Sequence, residues 1–422
     1  MATINHRTLI RNFSSLGLVQ GINALIQLLL VPLVISRIGV DYYGQIAVIQ
    51  VIVFFLATLA EYGYGQTGAR DVALNRNNKT VLAELFYNSL YTKFFLCIAA
   101  FLLLLLLSLI FPVIRLQFSL YCLAFVFVPG QASLPSWFLQ GMEKLQWAAL
   151  ISLFSKILFA IAVVLFIHDP AHTGLFTLFL GLGNLATGVI ASMWLIRYYQ
   201  LPAVPFSMQK VIISLKEGWP VTVSNLLMNF MQYGNLFILR LFTNDLIAGY
   251  FSVAERIYFS MKQLLTAFSQ TIYPSVCQSA LEGRESLQQY FRKIFTPFWL
   301  LTIAGSAIVA LFAPFITRFF VQERQEDAIF YLRILCVILP VVCFNIPGSL
   351  SLLATNHLKK YFIIYTVGFM LGTLANIILV PLWMAHGTLF AIGITELFIT
   401  IAVSLALRSL PDKNSISAQP RH

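Results

Sequence analysis

Charge is scarce in this chain. Only 10% of its 422 residues are Asp, Glu, Lys or Arg, against roughly 25% in a soluble domain, while 59% are hydrophobic. That balance excludes an ordinary soluble globular protein and predicts an integral membrane protein. Acid is scarcer still, 16 Asp and Glu against 27 Lys and Arg. In a soluble protein such an excess of base suggests nucleic acid. In a membrane protein it is the ordinary enrichment of cytoplasmic loops in Lys and Arg, so no nucleic-acid partner is expected. Cysteine is also sparse: Cys97, Cys122, Cys277, Cys336 and Cys343 lie in or beside apolar segments, and none forms a close Cys/His cluster with metal-ligand spacing. They read as packing residues, and no metal or other cofactor is expected. No GxxxxGK[S/T], HExxH or GxSxG motif is present, so nucleotide-driven or zinc chemistry has no footing and the chain does not read as an enzyme.

What the sequence does have is long apolar runs. Twelve reach bilayer length, at 14–36, 45–62, 90–111, 116–138, 145–167, 174–196, 219–242, 248–273, 297–319, 329–353, 361–383 and 387–407. The first follows a short polar start with no small-residue cleavage site and reads as an uncleaved helix. With both termini in the cytoplasm, most basic residues fall inside, among them Arg70, Arg76, Lys79, Lys144, Arg197, Lys210, Lys216, Arg292, Lys293, Lys359 and Lys360. Only Arg37, Arg115, Arg318 and Arg324 fall in the outer connections. The predicted fold is all-α, with twelve transmembrane helices in two six-helix lobes around a central cavity. Its divisions are an N-terminal lobe at 1–200, a cytoplasmic inter-lobe loop at 201–218, a C-terminal lobe at 219–410 and a cytoplasmic tail at 411–422. Gly17, Gly21, Gly368 and Gly372, in two GxxxG pairs, fit close helix packing.

Within this frame the stretch from Ala248 to Pro274 is long enough to span and too polar to face lipid. At 100° per residue Glu255, Lys262, Thr266, Ser269 and Tyr273 share one stripe, with Ser252, Arg256, Gln263 and Gln270 to one side. A charge at mid-bilayer costs at least about 2.5 to 3.5 kcal/mol on insertion scales, so this face is expected to line a hydrated interior. The first helices of the two halves carry amide-rich stripes, one with Asn12, Gln20, Asn23 and Gln27, the other with Thr222, Asn225, Asn229, Gln232 and Arg240. Each ends at an Asp followed by Gly, Asp41 to Gly44 and Asp245 to Gly249. Asn23, Gln27, Asn225, Asn229, Gln232 and Ser252 are therefore expected to line the cavity. Lys156 sits mid-way along its segment, where snorkelling is awkward. Lys93 and Arg333 lie within reach of helix ends and are expected to snorkel. Glu396, with no polar stripe around it, is either a protonated carboxyl hydrogen-bonded to a neighbouring helix or an ion-coupling group.

Four stretches resemble the Wzx-type flippases of lipid-linked O-antigen repeat units, in the polysaccharide-transporter branch of the multidrug/oligosaccharidyl-lipid/polysaccharide exporter superfamily. Glu61-Tyr62-Gly63-Tyr64-Gly65 with Arg70 and Asp71 downstream is similar to that family's acidic-aromatic-Gly-aromatic motif, with Glu where Asp is commoner. Pro135 to Lys144, reading PSWFLQGMEK, followed by Ser155 and Lys156, resembles its most distinctive segment. Leu215 to Pro220 and Gly249 to Arg256 complete the likeness.

The resemblance implies alternating-access export of undecaprenyl-diphosphate-linked oligosaccharide across the bacterial inner membrane. Membrane lipid surrounds the protein, and the O-antigen polymerase and chain-length regulator are candidate partners. On that reading Lys156, Arg240, Arg256 and Lys262 form a cationic site for the diphosphate, and Glu61, Glu255 and Glu396 are the carboxylates placed for ion coupling. A small-molecule exporter of the same superfamily would share the fold. A membrane-embedded glycan polymerase would need a sizeable outer loop, and the longest here is about 320–328.

Overall fold

The computed structural model describes residues 26, 29–321, 325–355 and 357–408, and among them every regular element is a helix. The sequence-predicted segment 14–36 therefore lies mostly outside the described residues, as do Asn12, Gln20, Asn23 and Gln27, with Gly17 and Gly21. The helices are α1 (Leu29–Ile38), α2 (Val40–Glu61), α3 (Thr67–Leu74), α4 (Lys79–Ile110), α5 (Pro112–Leu116), α6 (Phe118–Phe125), α7 (Phe127–Ser133), α8 (Ser136–Gly141) and α9 (Leu145–Phe166). There follow α10 (Thr173–Tyr199), α11 (Met208–Phe242), α12 (Asp245–Glu282), α13 (Arg284–Tyr290), a π-helical turn (Phe291–Phe295), α14 (Thr296–Leu311), α15 (Ala313–Phe320), α16 (Gln325–Ala354) and α17 (Leu358–Arg408).

Among the described residues seven stretches are long and apolar enough to cross a membrane: Val40–Glu61, Lys79–Ile110, Phe118–Gly141, Pro170–Tyr199, Arg284–Leu311, Glu326–Ala354 and Lys359–Leu407. Shorter apolar helices are Leu29–Ile38, Leu150–Phe166 and Val221–Phe230. The polar segments α11 and α12 fail an apolar criterion for the reason that singled α12 out in the sequence. The run Lys359–Leu407 is 49 residues long, about twice what a bilayer needs. It is two arms, broken at Trp383 (φ −131°, ψ 15°) and Met384 (φ 48°, ψ −129°). Gly368 packs on Ile399 and Gly372 on Thr395, so the arms run antiparallel and the small residues do set close packing.

Hydropathy marks where a helix is apolar, and these helices extend further. α12 runs on through Pro274 and Cys277 and stops at Gly283, whose φ of 117° is left-handed. α4 begins at Lys79 because Asn78 Oδ1 accepts from the Val81 amide at 3.2 Å.

The chain divides into two compact units. One is Leu33–Gly249; the described residues of Tyr250–His422 belong to the other. In the first, α2 is apolar on all sides and largely buried, whereas α4 turns Leu102, Leu105, Leu106 and Leu109 outward, as expected of a lipid-facing helix. α11 packs on α2 and α4 within this unit, beyond the 201–218 loop where the sequence places the lobe boundary. In the second unit, α16 packs on α14 and α17.

Candidate functional site

Three of the four stretches that carry the resemblance meet in the first unit. α2 ends in a left-handed turn at Tyr62 (φ 49°) and Gly63 (φ 70°). That turn sends the Tyr62 hydroxyl to the Leu215 carbonyl at 2.8 Å and sets Tyr64 against Trp137, ring centroids 5.6 Å apart. Beyond it α3 packs on α8, where Arg76 donates to the Gly141 carbonyl and pairs with Glu143, both at 2.8 Å. Trp137, Phe138 and Leu139 are buried with Val72, Phe86 and Leu195 in the core beneath.

Lys93 does not snorkel. It is 5% exposed, donates to the Ala132 carbonyl at 3.0 Å, and lies 5.4 Å from the Tyr64 ring and 5.9 Å from that of Trp137. A carbonyl and two π-faces satisfy the ammonium inside the unit, which removes the need to reach the membrane surface.

Next to this joint runs a chain of four polar side chains from four helices. Glu61 accepts from Gln131 Nε2 at 2.9 Å, and Gln131 Oε1 accepts from Asn184 Nδ2 at 3.3 Å. Asn184 in turn accepts from the Ser155 hydroxyl. The chain ends beside Lys156, which is half-buried and has no hydrogen-bond or ion-pair partner among the described residues. Gln131 and Asn184 were not singled out from the sequence. Their signal was an amide inside an apolar run, which a bilayer penalises unless it is bonded.

Arg240 does not join a cationic site. Its guanidinium forks onto both carboxylate oxygens of Asp245 and donates to the Thr243 carbonyl at 3.0 Å. Asp245 also accepts from Gln45 at 3.3 Å. Here the two Asp-to-Gly connections meet: a Cβ on Gly44 would strike the Asp245 carbonyl, and one on Gly249 would strike the Val40 carbonyl. Arg240 thus ties the turn between α11 and α12 and is withdrawn from the diphosphate set, because its charge is already matched.

The amide stripe of α11 is engaged within the same unit. Asn225 exchanges hydrogen bonds with Gln66 at 3.3 and 3.4 Å, Asn229 donates to Thr58 at 2.8 Å, and Gln232 donates to its neighbour Tyr233 at 3.0 Å.

In the second unit α12 carries Ser252 and Glu255, both buried, with Arg256 half-buried beside them. About two turns further, Lys262 Nζ stands 3.7 Å from Glu396 Oε1 and 5.6 Å from the Tyr258 ring. Glu396 Oε2 accepts from Asn345 Nδ2 at 3.2 Å, and Asn345 Oδ1 accepts from Thr400 at 2.6 Å. Glu396 therefore bonds to Asn345 of α16 as well as pairing with Lys262. Among the described residues no three His, Cys, Asp or Glu side chains gather as a metal site. The chemistry available is ionic and hydrogen-bonding: ammonium and guanidinium groups that can hold an anion, and carboxylates that can take or release a proton.

Comparison with known proteins puts this geometry in a lineage. Over 410 residues the chain is 23% identical to a protein of Escherichia coli (strain K12) named "Putative O-antigen transporter", covering 96% of this chain and 98% of that one. Two solved structures share the fold: the lipid II flippase MurJ in an inward closed conformation, and a multidrug resistance MATE family transporter of the MOP superfamily in an inward-facing one. MurJ superposes with a TM-score of 0.69 at 16% identity over 94% of this chain and 88% of its own. The MATE transporter gives 0.66 at 17% identity over 91% and 96%. The family model described as "Polysaccharide biosynthesis protein" matches residues 9–280, more than half of the chain and all four of the stretches above, and the chain belongs to that family.

Proposed function

We propose that the chain is a flippase that moves undecaprenyl-diphosphate-linked O-antigen repeat units from the cytoplasmic to the periplasmic leaflet of the bacterial inner membrane. Family membership and the E. coli relative named for O-antigen transport support a transporter rather than an enzyme. The observation that carries the anionic cargo is Lys156, a half-buried cation in an apolar helix with no partner among the described residues. An unmatched ammonium in a bilayer is costly, and an anion that visits it offsets the cost. The cargo has an anionic diphosphate, a polar glycan and a prenyl tail. Its path must hydrate the first two and leave the tail in lipid.

In this proposal twelve helices form two six-helix lobes around a central cavity that opens alternately to either side, both termini being cytoplasmic. Lys156, Arg256 and Lys262 recognise the diphosphate. Arginine offers phosphate a bidentate fork and lysine a mobile point charge, so Arg256 orients and the lysines attract. Glu61, Glu255 and Glu396 serve ion coupling, and the polymerase and chain-length regulator take up the delivered unit. Purified protein reconstituted alone in liposomes with labelled undecaprenyl-diphosphate-linked oligosaccharide should carry label between leaflets without lengthening it. Growth of the glycan would identify a polymerase instead, and retention of label in its original leaflet would overturn the flippase reading.

A further inference from the structure

We propose that Glu396 is a built-in rival of the cargo's diphosphate for the Lys262 ammonium, so that seating the anion and protonating this carboxylate are one event. The inference rests on the diphosphate reading above and adds to it the step at which a proton enters.

The pair is set up to exchange partners. At 3.7 Å, Lys262 Nζ and Glu396 Oε1 are well beyond the 2.7–2.9 Å of a tight charge-assisted bond, so a second oxygen can take the ammonium without first breaking one. Lys262 is 32% exposed and Glu396 16%, so an arriving anion meets the ammonium before the carboxylate. The Tyr258 ring, one turn back on α12, holds the ammonium in place in either state.

The carboxylate is equally prepared to lose its lysine. Asn345 Nδ2 donates to Oε2 and keeps that oxygen an acceptor. Thr400 steadies the amide, its one hydrogen able to reach Asn345 Oδ1 at 2.6 Å or the Glu396 carbonyl at 2.7 Å. A proton arriving at Glu396 therefore goes to Oε1, the atom that faces Lys262. An O–H and an ammonium cannot both donate across that gap, so protonation releases the lysine. A hydronium ion or buffer acid gives up the proton that forms the Oε1–H bond, its own bond to that hydrogen breaking, and Lys262 keeps its charge while its pairing passes to a phosphate oxygen.

A second, independent feature marks the site as more than a static bridge. The Tyr258 hydroxyl is buried, the residue being 4% exposed, has no hydrogen-bond partner among the described residues, and lies within the electrostatic reach of Glu396 and Glu255. It is an unpartnered buried hydroxyl on the residue whose ring faces the Lys262 ammonium. The titratable groups around the cluster are Lys262, Tyr258 and Glu255 on α12, Cys336 on α16 and Tyr365 on α17.

The test uses the purified full-length protein and farnesyl diphosphate, a short soluble prenyl diphosphate, titrated by calorimetry. At pH 7.5 Glu396→Gln should bind the probe about tenfold or more tightly than wild type, and that advantage should shrink as the pH is lowered; taking the ratio at each pH cancels the probe's own titration. Lys262→Met should weaken binding, and adding Glu396→Gln to it should restore nothing. Wild-type protein gives a readout that needs no variant: binding heats in buffers of different ionisation enthalpy should show net proton uptake at pH 7.5. Equal or weaker binding by a monodisperse Glu396→Gln protein, or no proton uptake by wild type, overturns the rivalry and leaves the diphosphate reading standing. No binding by wild type at any pH overturns both.

Discussion

Two lysines within apolar runs have opposite places in the structure. Lys93 is buried, bonded to the Ala132 carbonyl and faced by two rings; Lys156 is half-buried and unmatched among the described residues. Lys93→Ala should therefore lower the melting temperature in detergent, since it opens a cavity and removes bonded contacts worth about 2–4 kcal/mol. Lys156→Ala should melt within about 1 kcal/mol of wild type and lose O-antigen display, with Lys156→Arg retaining part of it. Normal display by Lys156→Ala would remove that residue from the cargo site, and an unchanged melting point for Lys93→Ala would remove Lys93 from the core. The sequence separated the two by depth and still missed where Lys93 is bonded, because a charge in an apolar run reads the same whether its partner is a carbonyl 39 residues away or a cargo. Arg240 was misread for a related reason: Asp245, five residues on, was in plain view, but only the turn geometry makes the pair a closed fork.

At the scale of elements, apolar patterning found the long apolar runs from residue 45 onward, but it did not mark the short helices α3 and α13 or the division of 116–138 among α6, α7 and α8. It also missed how helices end, since polar ends such as Ser275 to Glu282 add no hydropathy to the helix they continue. The echo of Asp41-to-Gly44 and Asp245-to-Gly249 was also legible, although its meaning was not. The two connections touch, and each glycine is required where the other's backbone passes. Gly44→Ala places a methyl against the Asp245 carbonyl and should destabilise by about 1–3 kcal/mol. Arg240→Ala, which opens a half-buried pair at the same junction, should cost a comparable amount, up to about 3–5 kcal/mol. Gly305, in α14, has no atom within 4 Å of a Cβ, so Gly305→Ala should leave the protein unchanged or slightly more stable. Thermal melting of the three purified variants decides the matter. Equal melting of Gly44→Ala and Gly305→Ala would mean that the junction is not packed as described.

For the whole molecule, orientation follows from charge, and the helices convert it into a measurement. α9 has 22 residues and rises about 33 Å, enough to put the Lys144 end and the Asp169 end on opposite faces of a bilayer. The Lys144 end gathers Arg76, Lys144 and Arg197, whereas the turn after α9 offers Asp169 and two histidines, so the first end should be cytoplasmic. Labelling positions need care, because Asn78 and Asp169 are themselves helix caps, each accepting from a backbone amide, and their loss would cost about 1 kcal/mol. Asn77 and Ala171 are exposed neighbours that keep both caps. In a chain whose five native cysteines are replaced by serine or alanine, Ala171→Cys should react with an impermeant maleimide in intact cells whose outer membrane admits the reagent. Asn77→Cys should react only after the inner membrane is opened. Reaction of Asn77→Cys in intact cells would invert the orientation. The Lys144 end would then face the periplasm, and the proposed cargo, entering from the cytoplasm, could not begin its passage there.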